Sequence, residues 1–137
     1  MQETVAPTPP GSRPVSSGLL YGLRVAVVAQ AAAIVVAASF AGQAVQSGGA
    51  LVETHVMVGM VTLLIAAIQI VVAVLYWRPG GGRGWPALAS VGLLLVGAGQ
   101  PFSAEAFGIH LPSGVTLFGL TVALLVWAWS PGATRSR

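Results

Sequence analysis

The chain has no cysteine and no aspartate, and its six basic residues are all arginine. Without cysteine there are no disulfides, no thiolate metal sites and no covalent haem attachment through Cys-x-x-Cys-His. Without aspartate, and with only three glutamates, no nucleophile–histidine–acid set can be assembled, and P-loop, dinucleotide-binding and zinc signatures are missing too. Charge is scarce throughout: charged residues make up 7% of the 137 positions, against roughly 25% in soluble domains. The net charge of +3 comes from scattered arginines at the ends of apolar runs, which reads as membrane topology rather than a nucleic-acid-binding stripe.

What is abundant is apolar. Hydrophobic residues reach 55% and the mean hydropathy is +0.86. Four long apolar runs account for this, each near the ~20 residues that cross a bilayer. The expected fold is an all-α membrane protein, a four-helix transmembrane bundle occupying residues 18–130, with helices at about 19–45, 51–77, 85–106 and 110–129. Residues 1–17, rich in Pro, Ser and Thr, read as a disordered cytoplasmic tail, and 131–137 as a short cytoplasmic tail. A cleaved signal peptide is the competing reading of the first run. Arg78-Pro79-Gly80 stops the second helix, Trp85-Pro86 opens the third, and Pro112 falls in the first turn of the fourth. The third run is short if it ends before Pro101, so either helix 3 continues with a kink to about Ala106 or the outer side of the bundle is thin there.

Arg13, Arg24, Arg78, Arg83, Arg135 and Arg137 alternate with connections that hold no basic residue. By the positive-inside rule both termini face the cytoplasm and the chain sits in the inner (plasma) membrane. Trp77, Trp85, Trp127, Trp129, Tyr21 and Tyr76 fall at the same ends, where an interfacial aromatic belt is expected.

The two halves share an order of motifs: Gly42-Gln43 and Gly99-Gln100, then His55-x-x-x-Gly59 and His110-x-x-x-Gly114, then Trp77-x-Pro79-Gly80 and Trp129-x-Pro131-Gly132. The bundle therefore reads as two helical-hairpin repeats. The only histidines occupy equivalent places near the outward-facing start of helices 2 and 4. Two imidazoles on facing helices can hold a haem iron from both sides, and a glycine one turn deeper on the same face leaves room for a flat macrocycle. A b-type haem with His55 and His110 as metal ligands, flanked by Gly59, Gly114, Gln43 and Gln100, is one reading. Duplicated interfacial histidines and small residues at helix contacts are the other. Gln30 and Gln69 lie deeper, where they could meet across helices 1 and 2. Met57 and Met60 are soft residues near His55, and Glu53 and Glu105 stand at helix starts where they could satisfy free N–H groups.

The stretches GQAVQSGGALVETHVMVG (42–59) and GQPFSAEAFGIHLPSG (99–114) resemble a family of small bacterial four-helix membrane proteins over about residues 20–130. More distantly, they are similar to one half of heme A synthase, in which each four-helix half carries paired haem-ligating histidines on its second and fourth helices. The resemblance implies His55 and His110 as ligands. Heme A synthase has two such bundles and a glutamate at another spacing from the histidine than Glu53, so the likeness implies a haem-binding scaffold for electron transfer or haem handling rather than a reaction. The alternatives are an accessory subunit or assembly factor packed in a larger membrane complex, and, less favoured for want of a mid-span acid, a small transporter. The lipid bilayer is the expected partner.

Overall fold

The computed structural model describes residues 14–136, with Phe107 by its backbone alone. The expected tail therefore lies outside the described residues up to Arg13. The described chain contains only helices and turns: α1 (Ser17–Gln46), α2 (Val52–Trp77), α3 (Trp85–Gly99) and α4 (Phe107–Ala128), with 3-10 turns at Gln100–Ser103 and Pro131–Ala133. Four helices are long and apolar enough to cross a membrane, the third counted through its 3-10 turn as Trp85–Ser103. Large apolar side chains such as Leu64, Leu95, Val115 and Val126 are exposed along them. Helices apolar all round, as these are, have lipid rather than water as their solvent.

The helices form a ring in which α1 packs on α2 and α4, and α3 packs on α2 and α4. Thus α2 and α4 stand diagonally across the bundle. Both described ends of the chain lie at one end of it, called here the terminal end. The α1–α2 and α3–α4 connections, with both histidines, lie at the other.

Local chemistry sets the boundaries. α1 ends in a Schellman cap: the Gly49 N–H donates to Ala44 O at 2.8 Å and that of Ser47 to Gln43 O at 2.9 Å. Gly48 takes the positive φ, 66°, that such a turn requires, and Gly49 after it is at 100°. α3 ends sooner than the sequence suggests. Its α-helical part stops at Gly99, and Pro101 lies at the start of the tighter 3-10 turn that follows. Fifteen residues at ~1.5 Å and four at ~2.0 Å give roughly 30 Å, the thickness of a hydrocarbon core. α4 starts earlier, at Phe107, so Pro112 lies inside the helix rather than in its first turn. Its ring nitrogen cannot donate to Gly108 O, which weakens the helix two residues after His110.

The buried core is confined to the terminal half. Leu20, Leu23, Val27, Ala73, Tyr76, Ala87, Leu93, Leu124 and Ala133 form one cluster. Toward the histidine end, Ala44 is the one buried apolar residue among those described. Aromatic residues close the terminal end, though mostly not as a lipid-facing belt. Trp127 stands edge-on to Tyr76 and Trp85 at 6.1 and 4.9 Å between ring centroids, and Trp77, Trp85 and Trp127 pack against the core. Tyr21 and Trp129 do stay exposed. Residues 131–133 are not a free tail: they turn back so that Ala133 is fully buried and its carbonyl accepts the Tyr76 hydroxyl at 2.8 Å. The Arg24 guanidinium bridges α1 to α4, donating to Ala128 O at 2.9 Å and lying 5.3 Å over the Trp129 ring.

Candidate functional site: a histidine pair across the bundle

α2 begins at Val52, so His55 lies in its first turn with its backbone N–H bonded to Leu51 O at 3.0 Å. α4 begins at Phe107, and the His110 N–H donates to Ala106 O at 2.9 Å. Both histidines thus stand at the N-terminal ends of diagonal helices, and they meet across the bundle. Their ring centroids are 6.1 Å apart and the planes are inclined by 68°.

Each ring is oriented by a main-chain carbonyl of the preceding segment. His55 Nδ1 lies 2.9 Å from Ala37 O of α1, and His110 Nδ1 lies 3.2 Å from Gln100 O at the end of α3. A carbonyl can only accept, so each Nδ1 carries the proton. The Nε2 lone pair is then the basic one, the arrangement by which metal-binding histidines are usually held. The carbonyl of Ala37 has no signature in the sequence, because any residue would supply it. Gln100 is in the expected neighbourhood but acts through its backbone. Its side-chain Nε2 donates to Ser113 Oγ at 2.7 Å, which ties the 3-10 turn to α4.

The remaining sequence candidates divide. Gly59 and Gly114 are half-buried, and a methyl group added to either would meet nothing within 4 Å. They are not helix-contact glycines. That role belongs to Gly22, whose added Cβ would lie 3.5 Å from Val72 Cγ1, and to Gly97, 2.9 Å from Leu63 Cδ2. Gln43 does not join the histidines: it is exposed and donates to Ser39 O of its own helix at 3.3 Å. With Gln46, Ser47 and Leu51 it lines a depression of about 270 Å³ at the helix ends. Met57 and Met60 are 70% and 60% exposed and point away from the interior. Glu53 and Glu105 are exposed, and no side chain caps the start of α2 or α4.

Among the described residues no group of three or more His, Cys, Asp and Glu converges, so a metal held here has two protein ligands. Two imidazoles bound end-on to one metal at ~2.0 Å hold their centroids roughly 6.3 Å apart, close to the observed spacing. The same spacing also lies within the range of ordinary aromatic packing. Each ring is fixed through Nδ1 by a backbone carbonyl, and Ala44 is the one buried apolar residue among those described at this end. Searches against protein-family models, curated proteins and solved structures return no match for this chain.

Proposed function

We propose that the histidine end binds a b-type haem, with His55 and His110 as the two axial ligands, and that the protein serves electron transfer or haem handling in the membrane. The observation that supports this is the approach of the two rings to 6.1 Å across diagonal helices, each held through Nδ1 by a backbone carbonyl. The residues fit the group in three respects. The donor atoms are neutral imidazole nitrogens, which suit haem iron. The separation admits one metal between them. The open faces of Gly59 and Gly114 leave the backbone approachable by a flat ring.

A bound haem supplies a one-electron iron couple. The protein's part is to fix ring orientation and tautomer from Ala37 O and Gln100 O. The Gln100–Ser113 link ties the 3-10 turn to α4 separately from that carbonyl. Arg24, Arg78, Arg83 and Arg135, the described basic residues, belong to the terminal end, so haem propionates at the histidine end would rely on neutral donors such as those of Gln43, Gln46 and Ser47. The same arginine distribution supports a multi-pass chain in the inner (plasma) membrane with both termini cytoplasmic.

The test is an absorption spectrum of the detergent-purified chain, oxidised and dithionite-reduced, from cells supplied with haem precursor. Sharp reduced b-type bands lost in His55→Ala and in His110→Ala are expected. A preparation that stays colourless with both histidines intact, also after added haem, ends this reading.

A further inference from the structure

The four buried polar side chains among the described residues come one from each helix: Gln30 at 2% exposure, and Gln69, Ser90 and Thr121 at 0%. None belongs to the histidine site. Three of them make protein hydrogen bonds as donors. Gln69 Nε2 donates to Ser90 Oγ at 2.9 Å, Ser90 Oγ donates to Pro86 O at 2.7 Å, and Thr121 Oγ1 donates to Leu117 O at 2.8 Å. Two acceptors are left over. Oε1 of Gln30 and Oε1 of Gln69 are both buried and have no partner in the protein.

The register brings these two oxygens toward each other. Gly22 faces Val72, which aligns α1 with α2. From that level Gln30 lies ~12 Å and Gln69 ~4.5 Å toward the histidine end, so their backbones are offset by ~8 Å. Helical side chains lean toward the N-terminus of their own helix. The N-terminus of α1 is at the terminal end and that of α2 at the histidine end, so the two glutamine side chains lean toward each other's level. Gly92 facing Leu120 puts Thr121 near the level of Ser90, which itself bonds Gln69.

We propose an internal water site between Gln30 and Gln69, in which water donates to Gln30 Oε1 and Gln69 Oε1 and ties α1 to the Gln69–Ser90 pair of α2 and α3. Water is the ligand that the chemistry selects. Two lone carbonyl oxygens call for a small molecule with two donors, and a buried water typically holds two to four such bonds. The absence of any buried ionisable side chain in the group argues for a neutral occupant over a cation.

The test uses the full chain in lipid nanodiscs with ¹⁵N-labelled glutamine and water-edited solid-state NMR. Magnetisation transfer from water to the Gln30 and Gln69 side-chain amides is expected to approach that of exposed Gln43. Signals from Gln43 and Gln46 with Gln30 and Gln69 dark would overturn the proposal. A double-mutant cycle on thermal midpoints gives the second readout. Gln30→Leu and Gln69→Leu should each lower the midpoint, and the double variant should lose less than the two combined, because one bridge is lost in each case. Strictly additive losses, a rise in either single variant, or a midpoint that follows sodium or potassium rather than water content would each overturn it.

Discussion

At the scale of single residues, the chemistry of the histidine end rests on imidazoles oriented by backbone rather than by side chains. Gln100→Ala should therefore leave the His110 bond to carbonyl 100 in place. A b-type spectrum retained in Gln100→Ala and lost in His110→Ala is the expected contrast, read from reduced-minus-oxidised spectra of the two purified variants. Loss of the spectrum in both would move the essential group to the Gln100 side chain. At the opposite end Tyr76 is wholly buried and donates to Ala133 O at 2.8 Å. Tyr76→Phe keeps the ring and leaves that carbonyl without its donor. A loss of about 1 kcal/mol is expected, the ordinary net worth of one hydrogen bond, measurable as a lowered denaturation midpoint in detergent.

At the scale of elements, the connections differ in how tightly they are built. The α2–α3 turn lies against the core: a Cβ on Gly82 would collide with the Tyr76 ring, and one on Gly84 would come 2.7 Å from Trp77 Cε2. Gly82→Ala should cost about 1–3 kcal/mol, the usual penalty for overpacking, and lower the thermal midpoint more than Gly42→Ala, where an added Cβ meets nothing within 4 Å. Equal midpoints for the two variants would contradict this account of the turn. α4 carries its weak point next to the candidate site. Pro112 interrupts the helix hydrogen bonding just past His110 by leaving Gly108 O without its usual donor, and the Ser113 hydroxyl adds a bond to the next carbonyl, Ile109 O, at 2.7 Å.

At the scale of the whole molecule, packing is uneven along the bundle axis. Nearly every buried side chain lies in the terminal half, where aromatic rings, Arg24 and the returning 131–133 turn close the structure. Local opening follows local packing. Amide hydrogen exchange in nanodiscs should therefore run faster in 36–46, 52–58 and 107–113 than in 20–30, 69–76 and 120–128. Haem supplied during expression should slow the first group selectively. Uniform protection along all four helices would contradict the packing gradient.

The amino-acid sequence by itself determined the four spans and the class of fold. Lipid compatibility depends on composition summed over ~20 residues, and that sum survives any detail of packing. It also marked the end of the second helix, because Pro79-Gly80 acts through its own backbone chemistry. It singled out the histidines, since no other residue pair recurs with that ligand chemistry at matching places. Tertiary structure decided the rest. The early end of α3 and the early start of α4 depended on how residues 99–107 turn between two helices already fixed by the core. Trp77, Trp85 and Trp127 packed against the core around Tyr76 while Tyr21 and Trp129 stayed exposed, a choice that composition cannot make. Gln43 and Gln100, equivalent in sequence, separated in role: one follows its own helix into solvent, while the other lends its carbonyl to His110. Side-chain identity can be read from sequence, but a backbone carbonyl is carried by every residue. Which carbonyl meets an imidazole is set only by the register of one helix against another.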